Sequence, residues 1–379
     1  MRPRSLVVIL LVAVVTACGD SEATTTTVPA ATSTTAGSTT TSSPTTTATS
    51  TSTTSTTSTT STTSTTSTTL APTTTLPGVT TIALPSVSEL AEPWREVFTI
   101  PYGAGDEFLG TSPGGDAGSI DWGPEFGAQG PDGSWWFLDA AKLRLAHYSA
   151  TGEYLGAVPM KPEHLVNGVY FQFQLPHVLD DGTLVANRMG GGTSGTLLLL
   201  ENGDTRTVAI DVSMAVKLDD GEFIYGLDES NRIVRVEPHS GTTEVLEWFP
   251  TRAGTRFRLD SRGDVVTIEL PDAGTTHELR LVYAGDPSVP AYAAVEAATG
   301  IDGSVFFLFV GGTDSGEGGQ LAGFLTISPE GVLSPLEPTR DPFSPSDPGS
   351  PAHLGVTPGT STPWLMFVDP DGVRVFSRG

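Results

Sequence analysis

The chain's 379 residues include 19 basic and 43 acidic side chains, a formal net charge of −24, one cysteine, and 43 glycines and 29 prolines. So acidic a surface repels phosphate backbones and anionic headgroups, which excludes a nucleic-acid binder, and a lone thiol excludes an intrachain disulfide. Two readings of the acidity remain: solubility outside the cell, or attraction of a cation or cationic ligand.

The first predicted element is a leader. Arg2 and Arg4 precede the apolar stretch Leu6–Val15, which is too short to span a bilayer and has the flanks of a signal peptide. Val15, Thr16 and Ala17 then lead into Cys18. This run resembles the bacterial lipobox. The resemblance implies a signal peptide over residues 1–17, cleavage before Cys18, and diacylglycerol on its sulfur. The chain would then be lipid-anchored at the extracytoplasmic face of the cell membrane.

Residues 18–83 are expected to be a disordered tether. Between Thr24 and Thr75 the sequence is almost pure Thr, Ser, Ala and Pro, with a Ser-Thr-Thr period from Ser52. No apolar face recurs to offset the entropy of ordering it. About 55 such residues would span roughly 40 Å as a flexible chain and over 100 Å if stiffened. Ser/Thr-rich stretches with proline are also O-glycosylation substrates.

Residues 84–379 form the domain. Removing Arg2, Arg4, Asp20, Glu22 and Glu89 leaves 17 basic and 40 acidic residues on the domain from residue 90, a net charge of −23. Polar glycine turns at Gly133, Gly182, Gly221, Gly263, Gly303 and Gly359 each precede an apolar, β-branched or aromatic run. A second series, Gly152, Gly203, Gly241, Gly285 and Gly331, interleaves with the first. Two hairpin turns per period of about 40 residues give four strands per repeat. The expectation is an all-β fold, a six-bladed β-propeller. Only one hairpin follows Gly359, so the last blade has three strands at most, and the lone run Trp94–Ile100 precedes the first repeat; this N-terminal strand is expected to complete the C-terminal blade and close the ring.

Two repeats share a further pattern. Pro131-Asp132-Gly133-Ser134-Trp135-Trp136-Phe137-Leu138-Asp139 is followed by Arg144–Tyr148, and Tyr225–Asp228 by Arg232–Val236. This strand–Asp–Arg–strand arrangement resembles the NHL-type, TolB-like six-bladed propellers. The resemblance implies that ligands bind on the face opposite the glycine turns, around the central channel.

On that face would lie the irregular segments Met160–Asn167, Met189–Thr196, Gly311–Gln320 and Pro338–Pro351. Counting back from the first glycine series nominates Glu125, His177, Asp211, Arg256, Glu296 and His353 as residues opening the innermost strands at the channel mouth. Two histidines and three carboxylates on one axis could hold a divalent metal and activate a water. The preferred reading is that they are ordinary solvated or hydrogen-bonded groups and that no cofactor is needed. Trp135 and Trp136 point to opposite strand faces, so one belongs to the core. No nucleophile elbow and no zinc-protease helix motif occurs. The expected protein is a monomeric binding module for a protein, peptide or glycan, the alternative an envelope hydrolase, lactonase-like or glycan-active.

Overall fold

Short runs bounded by turns build the strands, some alternating in burial and others, such as Leu321–Ile327, buried almost throughout. In Val265–Leu270, for example, Val266, Ile268 and Leu270 are buried while Val265, Thr267 and Glu269 stay half-exposed, the period of a sheet with one covered face. The computed structural model describes residues 75–76, 78–86, 90, 92–111, 124, 127–161, 173–188, 194–316, 318–339, 353–369 and 371–378. All of them fall in the compact unit Thr69–Gly379. Cys18, Glu125 and most of three expected loops lie outside the described residues.

The strands begin with β1 (Thr75–Leu76), β2 (Val79–Leu84), β3 (Trp94–Pro101), β4 (Gly127–Gln129), β5 (Trp135–Asp139), β6 (Arg144–Tyr148) and β7 (Tyr154–Pro159). Next come β8 (Phe173–Val178), β9 (Leu184–Arg188), β10 (Gly195–Glu201), β11 (Asp204–Ile210), β12 (Met214–Asp219), β13 (Ile224–Asp228), β14 (Ile233–Val236) and β15 (Thr243–Leu246). They continue with β16 (Phe249–Pro250), β17 (Arg256–Arg262), β18 (Val265–Leu270), β19 (Thr275–Tyr283) and β20 (Asp286–Thr299). The last are β21 (Val305–Thr313), β22 (Leu321–Ile327), β23 (Glu337–Pro338), β24 (His353–Val356), β25 (Pro363–Asp369) and β26 (Gly372–Arg378). Among the described residues the helical content is one 3-10 turn, Ala140–Lys142.

Four meanders stand as separate four-stranded sheets: β4–β7, β8–β11, β12–β15, and β24–β26 with β3. In the last, β3 runs antiparallel along β26 from Trp94–Arg378 to Pro101–Gly372, so the two ends of the domain are stitched together. The innermost strands β4, β8, β12, β20 and β24 touch in a closed cycle. An apolar cluster fills each step of it, such as Leu197, Leu199, Met214 and Val234 between the second and third sheets. The arrangement is all-β and propeller-like.

Six separate blades, however, are not formed. Strands β16–β19 and β20–β23 are joined through a β19–β20 hairpin into one ten-stranded sheet that also includes β1 and β2. The cause is β16, only two residues long: β12 touches β20 directly. The β17–β19 sector therefore buries one face only. Phe257, Val266, Ile268, Leu279 and Leu281 enter the core, whereas Arg258, Asp260, Arg262, Thr267 and Glu269 line an open groove of 340 Å³. The glycine frame slips at the same place. Gly263 lies between β17 and β18, and Gly285 between β19 and β20, one strand later than expected; the first turn of this meander is made by Gly254, with φ +80°.

The segment expected as tether also extends less far than residue 83. Strand β2, Val79–Leu84, pairs in parallel with Glu278–Tyr283. Gly311–Thr313, expected in a loop, is the end of β21.

Candidate functional site

The ends of three inner strands converge on one carboxylate. Asp219, the last residue of β12, accepts from His177 Nδ1 of β8 at 2.7 Å and from Arg252 Nη2, in the β16–β17 turn, at 2.5 Å. The backbone N–H of Gly221 adds a third donor to Oδ1 at 3.0 Å. The other arm of Arg252 reaches Asp180 Oδ1 at 3.3 Å. His177, Asp219 and Arg252 keep only 14%, 16% and 12% of their side chains exposed, against 68% for Asp180. The turns are pressed close here: a Cβ at Gly221, whose φ is +94°, would lie 2.5 Å from the Asp180 carboxylate.

Burial by itself would raise the Asp219 carboxyl, but the hydrogen bonds and charges of His177 and Arg252 outweigh it and hold the group below the ordinary carboxylate range. An ionised carboxylate only accepts, so His177 donates from Nδ1 and, when neutral, keeps a lone pair at Nε2. That atom is buried with no hydrogen-bond partner among the described residues. Arg252 offsets Asp219, and the exposed Asp180 adds a further carboxylate to the set.

Asp132 and Asp228 are depressed as well. The Ser134 hydroxyl does it for Asp132. For Asp228, burial acts upward but is outweighed by the N–H groups of Arg232 and Ser230 and the Arg232 guanidinium. Carboxyls whose folded values lie below the unfolded one, near 4, stabilise the fold fully above that pH and lose this contribution as pH falls through the folded value. Stability should therefore hold from pH 7 to about 5 and drop below about 4. The deficit of Asp219→Asn relative to wild type should shrink over the same interval. Urea midpoints at pH 7, 4 and 3 measure both, and a midpoint insensitive to acid would refute the assignment.

Of the six nominated residues, the structure brings two together. His353, which opens β24 and is buried, has Nδ1 3.9 Å from Glu296 Oε1. Glu296 Oε2 accepts the Leu354 N–H at 3.1 Å. His177 sits near the end of β8, on the glycine-turn side, and belongs to the Asp219 network instead. Asp211 is exposed beyond β11 and accepts from Thr243 Oγ1 at 2.7 Å. Arg256 opens β17, not an innermost strand, and holds Asp272 with Nη2 at 2.6 Å. Counting back from the glycines misplaces these residues because inner strands range from two residues in β16 to fourteen in β20. Among the described residues no three His, Cys, Asp or Glu side chains gather as metal ligands.

Asp219 and Asp180 were visible in the sequence only as turn formers. Arg252 had no signal, because Phe249–Pro250 does not read as a strand. The Asp/Arg signature proves to be structural. Asp139 accepts from Arg144 Nε at 2.9 Å and Asp228 from Arg232 Nε at 2.8 Å, each pinning the turn between the second and third strands. Trp135 is the core residue of its pair. Trp136 is half-buried and stacked on His147, with ring centroids 3.9 Å apart.

Residues 92–378 match the model of a family described as a domain of unknown function, DUF7485. The chain belongs to the DUF7485 family. None of the curated proteins matches it. Among solved structures, this DUF7485 member is similar to a streptogramin B lyase, 10% identical, covering 71% of this chain and 97% of that one with a TM-score of 0.39. A virginiamycin B lyase from Staphylococcus aureus is 12% identical, covering 68% and 95%, with a TM-score of 0.36. A protein of unknown function from Bacteroides thetaiotaomicron VPI-5482 is 13% identical, covering 74% of both chains, with a TM-score of 0.42. Likeness at this level concerns the fold, and the chemistry of this DUF7485 chain rests on its own residues.

Proposed function

We propose that the chain is a lipid-anchored, extracytoplasmic binding module whose ligand engages the inner-strand ends around His177, Asp219, Arg252 and Asp180. The observation that supports this reading is that the network is assembled from three meanders, so only the closed ring creates it. Its accessible group is the exposed carboxylate of Asp180. The matching ligand donates hydrogen bonds and carries positive charge. The Thr/Ser tether supplies reach, and Cys18 the anchor.

Titration calorimetry with tri-lysine, and tri-alanine as the neutral control, tests the site. Saturable binding of tri-lysine should weaken about tenfold, or 1.4 kcal/mol, in Asp180→Asn. It should be unchanged in Asp272→Asn, which removes an exposed charge elsewhere. Equal losses in both variants would mean a diffuse field, not a site. In cells, Cys18→Ala should abolish palmitate labelling and move the chain from membranes to the soluble fraction; continued labelling would reject the anchor.

One observation favours a hydrolytic second reading. A carboxylate-oriented histidine with an unpaired Nε2 is the arrangement of a general base. Turnover of an activated ester such as p-nitrophenyl acetate, lost in His177→Asn, would support it; equal rates in both proteins would remove it.

A further inference from the structure

Residues 79–86 lie outside the family match, yet they are built into the sheet. Val79–Leu84 follows β19 in parallel register for six residues. Side chains alternate, so Ile82 (6% exposed) and Leu84 (0%) enter the largest apolar cluster beside Leu279, Leu281 and Leu321. Val79, Thr81 and Ala83 take the other face. Beyond β2 the strap crosses to the next meander: Ala284 N–H donates to Leu84 O at 2.9 Å and Ala322 N–H to Pro85 O at 3.3 Å. Ser86 Oγ donates to Gly318 O at 2.9 Å. Eight residues thus close a groove along β19 and β22 whose floor is apolar and whose walls are backbone donors and acceptors. Unfilled, it would be an open strand edge of the kind proteins take care to cover.

The segment is joined to β3 only by residues 87–93, and every contact it makes is available to the same segment of another molecule. Cis or trans occupancy is then decided by effective concentration alone. We infer that the groove is a strand-accepting site and that its second occupant is residues 79–86 of another copy of this chain. At low concentration the chain's own strap fills it and the molecule is a monomer. Where copies crowd, straps exchange and link neighbours without any new surface being formed. The crowding argument rests on the tethered display proposed above, since a Thr/Ser-rich stretch of about 55 residues would span roughly 40 Å as a random chain; exchange itself does not depend on it.

The test uses the otherwise unaltered full-length chain with Cys18→Ala, free of lipid, so its outcome is independent of anchoring. Two differently tagged preparations are mixed at about 1 mM, the effective concentration of a short flexible linker, then diluted and analysed by native mass spectrometry. Mixed dimers are expected, and excess synthetic peptide spanning residues 77–88 should convert them to monomers carrying peptide. The same peptide with Ile82→Asp and Leu84→Asp should be at least roughly a hundredfold less effective, because it would bury two charges. Absence of mixed dimers, dimers indifferent to the peptide, or equal potency of the two peptides would each overturn the inference.

Discussion

Replacing Arg144 by methionine should lower the unfolding free energy by about 3–5 kcal/mol, the cost of stranding a buried partner. The partner is Asp139, whose side chain is 0% exposed against 8% for Arg144. The guanidinium also donates to Asp106 O at 2.8 Å and Phe108 O at 2.5 Å. Lys142 Nζ reinforces the second contact, reaching Phe108 O at 2.8 Å. These bonds hold the segment that leaves the closing strand β3 against the sheet of β4–β7. The variant therefore loses its ion pair and the staple of the ring seam together. At roughly 2–4 °C per kcal/mol for a large domain, calorimetry should show a drop of about 6–20 °C. Adding Asp139→Leu should recover part of the loss, since it removes the stranded charge. A loss below about 1 kcal/mol, the value of a surface pair, would show that the network does not hold the seam.

The second large effect is expected at Trp135. Its indole is fully buried and meets Phe98 of β3 edge-on at 5.5 Å, Trp364 of β25 at 4.9 Å, and Phe137 in its own strand at 6.3 Å. Aromatic groups from both ends of the domain thus close on one side chain. Trp135→Ala should cost about 3–5 kcal/mol through the cavity it leaves, with geometry-specific ring pairs included in that sum. Trp136→Ala, which removes a half-buried ring stacked on one face of the sheet, should cost on the order of 1–2 kcal/mol. Denaturant midpoints of the two variants decide it, and similar losses would mean that the aromatic seam is not where closure is secured.

The sequence revealed those parts of the fold whose signal is local. Polar glycine turns before apolar runs located most hairpins, because a left-handed φ and a two-period strand are both written in adjacent residues. The closing strand was legible by elimination: three strands in the last repeat leave one edge bare, and Trp94–Ile100 is the spare run. What failed was non-local. A two-residue β16 gives no periodic signal, so the frame slipped by one strand at Gly263, and with it Arg256. Val79–Leu84 carries alternate apolar residues, but it hides in Thr-rich sequence and pairs with a strand about 200 residues away. The Asp219 network was not legible as a network, since its members come from the strand ends and turns of three meanders that only ring closure juxtaposes. Histidine-177 was named, and its partner was not.

The one-sided burial of β17–β19 has a mechanical consequence. That sector has apolar neighbours on only one side, so it contributes less to resisting separation than any flanking sheet. It is also where residues 79–84 pair, so a pull applied to the chain ahead of Val79 arrives there first. Pulling along β2 loads six parallel rungs at once instead of unzipping them singly. When they give way, the load passes along the chain to β3, and the seam between β3 and β26 is the next element to carry it.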